Sequence, residues 1–125
     1  MQPISTSDAP PPAGHYAQAI VHNGLVYVAG QLPVDPQTGA VVGGDSAAAQ
    51  TERTLQNIDA ILRAAGSGLD RILSATVYVT SREMWPDVNA TFARMLGTHR
   101  PARAIVGGAD LKPGCFVEIQ VIAAV

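Results

Sequence analysis

The chain has 125 residues, the size of one compact domain, so a second catalytic domain is not expected. Hydrophobic residues make up 47% and charged residues only 14%, which is ample material for a core but sparse charge for a small monomer's surface and points to an oligomer. Eight Lys and Arg stand against ten Asp and Glu, and the basic residues are scattered, so the electrostatic footprint of a nucleic-acid binder is not expected.

The first fifteen residues, MQPISTSDAPPPAGH, carry neither a basic nor an apolar run, and no apolar stretch approaches the ~20 residues that span a bilayer. A cytoplasmic protein without membrane contact is expected. Four of the nine prolines precede Gly14, so residues 1–15 read as an irregular arm with one short strand at Pro3 to Thr6. From Gln18 to Gly30, Asn23-Gly24 separates two β-branched apolar runs, and that dipeptide suits the positive φ values of a tight hairpin turn. LPVDPQTGAVVGGD then reads as a loop of successive turns.

Ser46 to Ala65 contains no Gly or Pro, and Leu55, Ile58, Leu62 and Ala65 recur at helical spacing. Asp45 or Ser46 would cap this helix, and Gly66 would end it. The next segment, ILSATVYVT, alternates as a half-buried strand, with Leu73, Ala75, Val77 and Val79 expected on the core face. Ser81 would cap a second helix with Pro86 in its first turn and a stripe of Trp85, Val88, Phe92 and Met95. Two strands, PARAIV and CFVEIQVIAA, close the chain. The pattern is a single α+β domain over residues 1–125, a mixed sheet with two helices on one face. The other face needs cover, and a partner subunit would supply it.

Few residues offer chemistry. His15, His22 and His99 are far apart in sequence and Cys115 is the lone cysteine, so neither a metal site nor a disulfide is expected. The glycine patterns of dinucleotide and phosphate loops are missing, as is the nucleophile elbow of the serine hydrolases. Two charges stand where charge is expensive. Arg103 lies inside an apolar strand, where it either holds a small carboxylate through paired hydrogen bonds or reaches solvent or a local acid from a sheet edge. Glu118 lies in CFVEIQVIA, either as a proton-exchanging group with a raised pKa or as a structural ion pair or outward residue. Tyr16, Gly30 and Asn89 are milder candidates that also fit packing, turn and capping roles.

The stretches AGHYAQAI, NGLVYVAGQLPVDPQTGAV, AAQTERTLQNIDAILRAAG, ATVYVT, VNATFARML, RPARAIV and VEIQVIA together resemble the RidA/YjgF family of enamine/imine deaminases across nearly the whole chain. The resemblance implies a chorismate-mutase-like α+β protomer in a homotrimer, with ligand sites in the clefts between subunits. It implies hydrolysis of 2-aminoacrylate and related imino acids to 2-keto acids and ammonia, with no metal or organic cofactor. Carried over by residue, Arg103 would grip the substrate carboxylate and Glu118 would activate water and exchange protons. Tyr16, Gly30, Asn89 and the backbone of Ile105 would line the pocket. The strand bearing Arg103 would be an edge strand not adjoining the one bearing Glu118, so an interface would complete the site.

Ala29 stands where many members have a hydroxyl residue, and Ile105 where many have cysteine, which makes the pocket more apolar and suits a larger or more apolar imino acid. His15 stands where proline commonly precedes the tyrosine, and the loop between Leu96 and Arg103 is short for the family. The alternative reading is a trimeric module that binds 2-keto acids or similar carboxylates without turnover. RNA hydrolysis, attached to some relatives, is disfavoured by the net charge of −2.

Overall fold

A computed structural model describes all 125 residues. The strands are β1 (Gln2–Ile4), β2 (Ala19–His22), β3 (Leu25–Gln31), β4 (Ile72–Val79), β5 (Ala102–Val106) and β6 (Val117–Ala124). The helices are α1 (Ala47–Ala64) and α2 (Trp85–Leu96). The strands form one sheet in the order β1-β2-β3-β6-β4-β5, antiparallel throughout except for the β4–β5 pair. This mixed sheet with two helices is the expected α+β architecture.

Local chemistry explains the elements. At the β2–β3 turn Asn23 and Gly24 have φ values of 51° and 77°, the left-handed conformation that twists a two-residue hairpin correctly. Ser46 caps α1, its side chain accepting from Ala49 N at 3.0 Å. Leu55, Ile58, Ile61 and Leu62 of α1 are fully buried and meet Val77, Val79, Val117 and Ile119 of the sheet in one cluster. Each such side chain contributes about 1.5–3 kcal/mol by leaving water. From α2, Val88, Phe92 and Leu96 join the same core, so both helices cover one face. No helix is long and apolar enough to cross a membrane.

Four expectations need correction. The arm strand is Gln2–Ile4 rather than Pro3 to Thr6, because pairing with β2 sets Ile4 opposite Ala19 and ends there. Leu73 is exposed, and Ile72 takes the core position instead. The cause is a bulge: Ile72 pairs with Ala123 and Ser74 with Ile122, so Leu73 is an extra residue that breaks the alternation. Ser81 caps a short 3₁₀ turn at Arg82–Met84, its hydroxyl accepting from Glu83 N, and α2 begins only after it. In α2 the buried apolar stripe is Val88, Phe92 and Leu96, while Trp85 is exposed and Met95 only half-buried.

The bulge predicts unequal costs at adjacent residues. Ile72→Ala is expected to lower the chain's unfolding free energy by about 2–5 kcal/mol. Leu73→Ala, which removes nothing from the core, should cost the chain under about 1 kcal/mol in the same urea titration. Equal losses at the two positions would refute the bulged register.

Candidate functional site

The six candidate residues fall into two groups. β5 is an edge strand, and its parallel register sets Arg103 beside Ala75 and Ile105 beside Val77. Ala75 and Val77 are buried beneath the helices, so Arg103 and Ile105 share the helix-covered face. There Arg103 Nη2 donates to Asn89 Oδ1 at 2.8 Å, and the guanidinium carbon lies 4.9 Å from the centroid of the Phe92 ring. Asn89 and Phe92 are three residues apart on α2, the spacing that puts two side chains on one helix face. The stacking contributes about 0.5–2 kcal/mol and holds the guanidinium plane. Arg103 makes no ion pair, and its remaining N–H donors have no protein partner. Burial lowers its pKa from the usual value, as expected for a cation kept from water without a counter-ion. Of its expected alternatives the structure keeps the sheet-edge position and rejects pairing with a local acid.

Glu118 faces the other way. It pairs with Tyr78 and is flanked by the buried Val117 and Ile119, so its carboxylate emerges on the open face of the sheet. Beside it β3 contains a second bulge: Val28 pairs with Val121 but Gln31 with Ile119, leaving Ala29 and Gly30 as two residues opposite Gln120. A Cβ on Gly30 would overlap the Glu118 carboxylate and fall 3.2 Å from its Cδ, so glycine alone leaves the acid its place. Burial raises the Glu118 pKa, and no nearby cation opposes the shift.

Tyr16 belongs with this second group. It lines a cleft under the N-terminal arm together with Gly30, Gln31, Leu32, Asp35 and Lys112. The Tyr16 ring is about half exposed, and its hydroxyl accepts from Ala13 N at 3.1 Å. The arm itself is pinned by the buried Gln18, which accepts from Thr6 N at 2.7 Å and donates to Pro10 O at 2.9 Å. Within one chain, then, Arg103, Asn89 and Ile105 stand on the helix side, and Tyr16, Gly30 and Glu118 lie on and around the open face.

Several residues that shape these groups are not apparent from sequence reasoning. Phe92 reads as a core stripe residue, although its i+3 relation to Asn89 is a usable signal. Gln50 is fully buried in α1, where its Nε2 donates to Gly114 O at 2.8 Å and its Oε1 accepts from Phe116 N at 2.7 Å. Asn57, one helical face along, donates to Val34 O at 2.8 Å and Leu32 O at 3.1 Å. These amides hold the segments leading into β6 and out of β3, on either side of Glu118 and Gly30. Nothing local in the sequence distinguishes them from surface amides. No group of three or more His, Cys, Asp or Glu side chains is arranged to hold a metal ion.

Comparison with known proteins places this geometry in context. Residues 6–125 match the family described as Endoribonuclease L-PSP. A RutC family protein of Pyrococcus horikoshii is 40% identical over 120 residues, 96% of this chain and 94% of that protein. The crystal structure of RidA from an Antarctic Psychrobacter superposes with a TM-score of 0.94 at 37% identity, covering 100% of both chains. That of Escherichia coli TdcF with bound serine gives 0.93 at 30% identity, covering 100% of this chain and 99% of the other.

The buried carboxyl makes a signed prediction. Because the Glu118 pKa is raised on folding, the folded protein keeps this proton to higher pH than the unfolded chain does. Stability is therefore lost as pH rises from the ordinary value of 4.5 through the raised one, and is flat above it. A carboxyl-carbon NMR titration should place the Glu118 midpoint above 4.5, and Glu118→Gln should remove that decline from the pH dependence of urea unfolding. A midpoint at or below the ordinary value contradicts this account.

Proposed function

Because the chain belongs to the Endoribonuclease L-PSP family, that of RidA and YjgF, we propose that it hydrolyses reactive enamine and imine intermediates to 2-keto acids and ammonia. The observation that carries this reading is Arg103: a half-buried guanidinium oriented by Asn89 and Phe92 and lacking a carboxylate of its own. Such a group is a receptor for a small carboxylate, since its planar donors match two carboxylate oxygens at once.

The reaction asks little more of the protein. The enamine first tautomerises to its imine, whose carbon is already electrophilic beside a carboxylate. Water adds to that carbon, forming a carbinolamine; a proton moves to nitrogen, ammonia departs, and the C–OH loses its proton to become the keto group. Glu118 is the proton carrier in this reading: ionised, it takes a proton from the attacking water, and protonated, it returns one to the leaving nitrogen. Its raised pKa brings both forms closer to neutral pH. Tyr16, Gly30, Asn89 and the backbone of Ile105 line the pocket, and no metal or organic cofactor takes part.

Arg103 and Glu118 stand on opposite faces, so we place the working site between subunits of a homotrimer in which one protomer's Arg103 meets the partner's open face. The open face supports this assembly: Tyr27, Tyr78, Val106 and Ile122 stand on it with no helix over them. Burying such a surface drives association. The same reading makes the 125-residue chain one RidA-like unit acting in the cytoplasm. RNA hydrolysis, which the family description names, ranks behind it, since a chain of net charge −2 gains little from displacing phosphate counter-ions. The bound serine in TdcF favours one other reading, a small-carboxylate binding module without turnover.

A coupled assay separates these readings. Imino acids are generated in situ by an amino-acid oxidase or lyase, and release of ammonia is followed. The wild type should accelerate release, Arg103→Ala should lose at least about a hundredfold in kcat/KM, and both should elute as trimers by light scattering. Unchanged activity in Arg103→Ala refutes the carboxylate grip. A trimer that binds keto acids and accelerates nothing establishes the binding module instead.

A further inference from the structure

The helix side of Arg103 opens into a second cleft, distinct from the one under the arm, between the C-terminal half of α2 and the start of β5. Asn89, Phe92, Leu96, His99, Arg100 and Arg103 line it. Two of these side chains, Arg100 and Arg103, are cationic, and no carboxylate lines the cleft. Neither arginine is paired with an acid; the chain's ion pairs are Arg63–Asp59 and Arg94–Glu52. In a protein of net charge −2 this is a local concentration of unmatched positive charge. Its surroundings are ordered as well: His99 Nε2 lies 2.7 Å from Ile72 O, which fixes the ring and puts its proton on Nε2, and Pro101 stiffens the backbone between the two arginines.

We infer that this cleft is a second anion subsite, which receives the distal carboxylate of a dicarboxylic imino acid or its keto-acid product. The inference rests on Arg103 as the receptor for the first carboxylate and deepens that reading by naming a substrate class. In extended backbone, residues 100 and 103 are separated by roughly 10 Å at Cα. Two long side chains lining one cleft can close much of that span around a diacid of four or five carbons. Phe92 and Leu96 give the intervening methylenes an apolar wall. A larger substrate whose middle is apolar and whose far end is anionic also agrees with the apolar Ala29 and Ile105 near the reacting end. The exposed Arg100 keeps its charge solvated until the ligand arrives, so the subsite contributes to selectivity rather than to stability.

The test compares 2-oxopentanoate with 2-oxoglutarate, which share a five-carbon chain and differ only in a terminal methyl against a carboxylate. Binding is measured calorimetrically on the assembled full chain. The diacid should bind at least about tenfold more tightly, and the ratio should fall to about one in Arg100→Gln and be partly kept in Arg100→Lys. Raising salt should narrow the ratio in the wild type. Equal affinities in the wild type, or a ratio unchanged in Arg100→Gln, overturn the subsite while leaving the Arg103 receptor standing. Failure of both acids to bind removes that receptor and this inference with it.

Discussion

Paired residues on neighbouring strands point to the same side of a sheet, and their chain neighbours point to the other. With β4 between β5 and β6, that rule places Arg103 beside Ala75 under the helices and Glu118 beside Tyr78 on the open face. No rotamer carries a side chain through a sheet. A chemistry that needs both groups therefore has to be assembled from two chains, and the sparse surface charge and uncovered apolar face are what an assembling protomer would show. Under the proposed function, this single constraint would tie assembly to the reaction.

Around it the protein spends its buried polar groups on position. Gln18, Gln50 and Asn57 are each at most a few percent exposed, and each ties irregular backbone to a regular element: the arm to β2, the approach to β6 to α1, and the exit of β3 to α1. A satisfied hydrogen bond of this kind contributes about 1 kcal/mol, but leaving the buried amide without its partner costs about 1–3 kcal/mol. Such contacts stabilise weakly and discriminate strongly against misplaced loops. Arg103 is handled similarly, by an amide and an aromatic face on adjacent turns of one helix rather than by an acid. That choice fixes the guanidinium while leaving its charge uncompensated and open to a ligand.

The two bulges break the regularity where it is useful. At Leu73 an extra residue lets Ile72 enter the core and turns a large apolar side chain outward. At Ala29 and Gly30 it widens the sheet beside Glu118, and the missing Cβ leaves room for the carboxylate. Period-two reading of the sequence fails at Leu73 for this reason, since an inserted residue shifts every later side chain to the other face. Helical spacing alone leaves the stripe of α2 open in the same way: Trp85 and Met95 fit it as well as Leu96 does, and only packing against α1 and the sheet selects among them.

The sequence by itself determined the elements and the oddities. Asn23-Gly24 dictates its turn because few dipeptides tolerate two positive φ values, Ser46 and Gly66 bound α1 through capping chemistry, and Arg103 and Glu118 stand out because charge inside apolar strands is expensive. The run of motifs along the chain was sufficient to identify the family. Only the tertiary structure decided what those charges face. Strand order, register and bulges depend on pairings between residues far apart in the chain, and these separate Arg103 from Glu118, join Arg103 to Asn89 and Phe92, and gather Arg100 and His99 beside them. No local pattern encodes such juxtapositions, because they arise from how whole elements pack rather than from the preferences of the residues within each one.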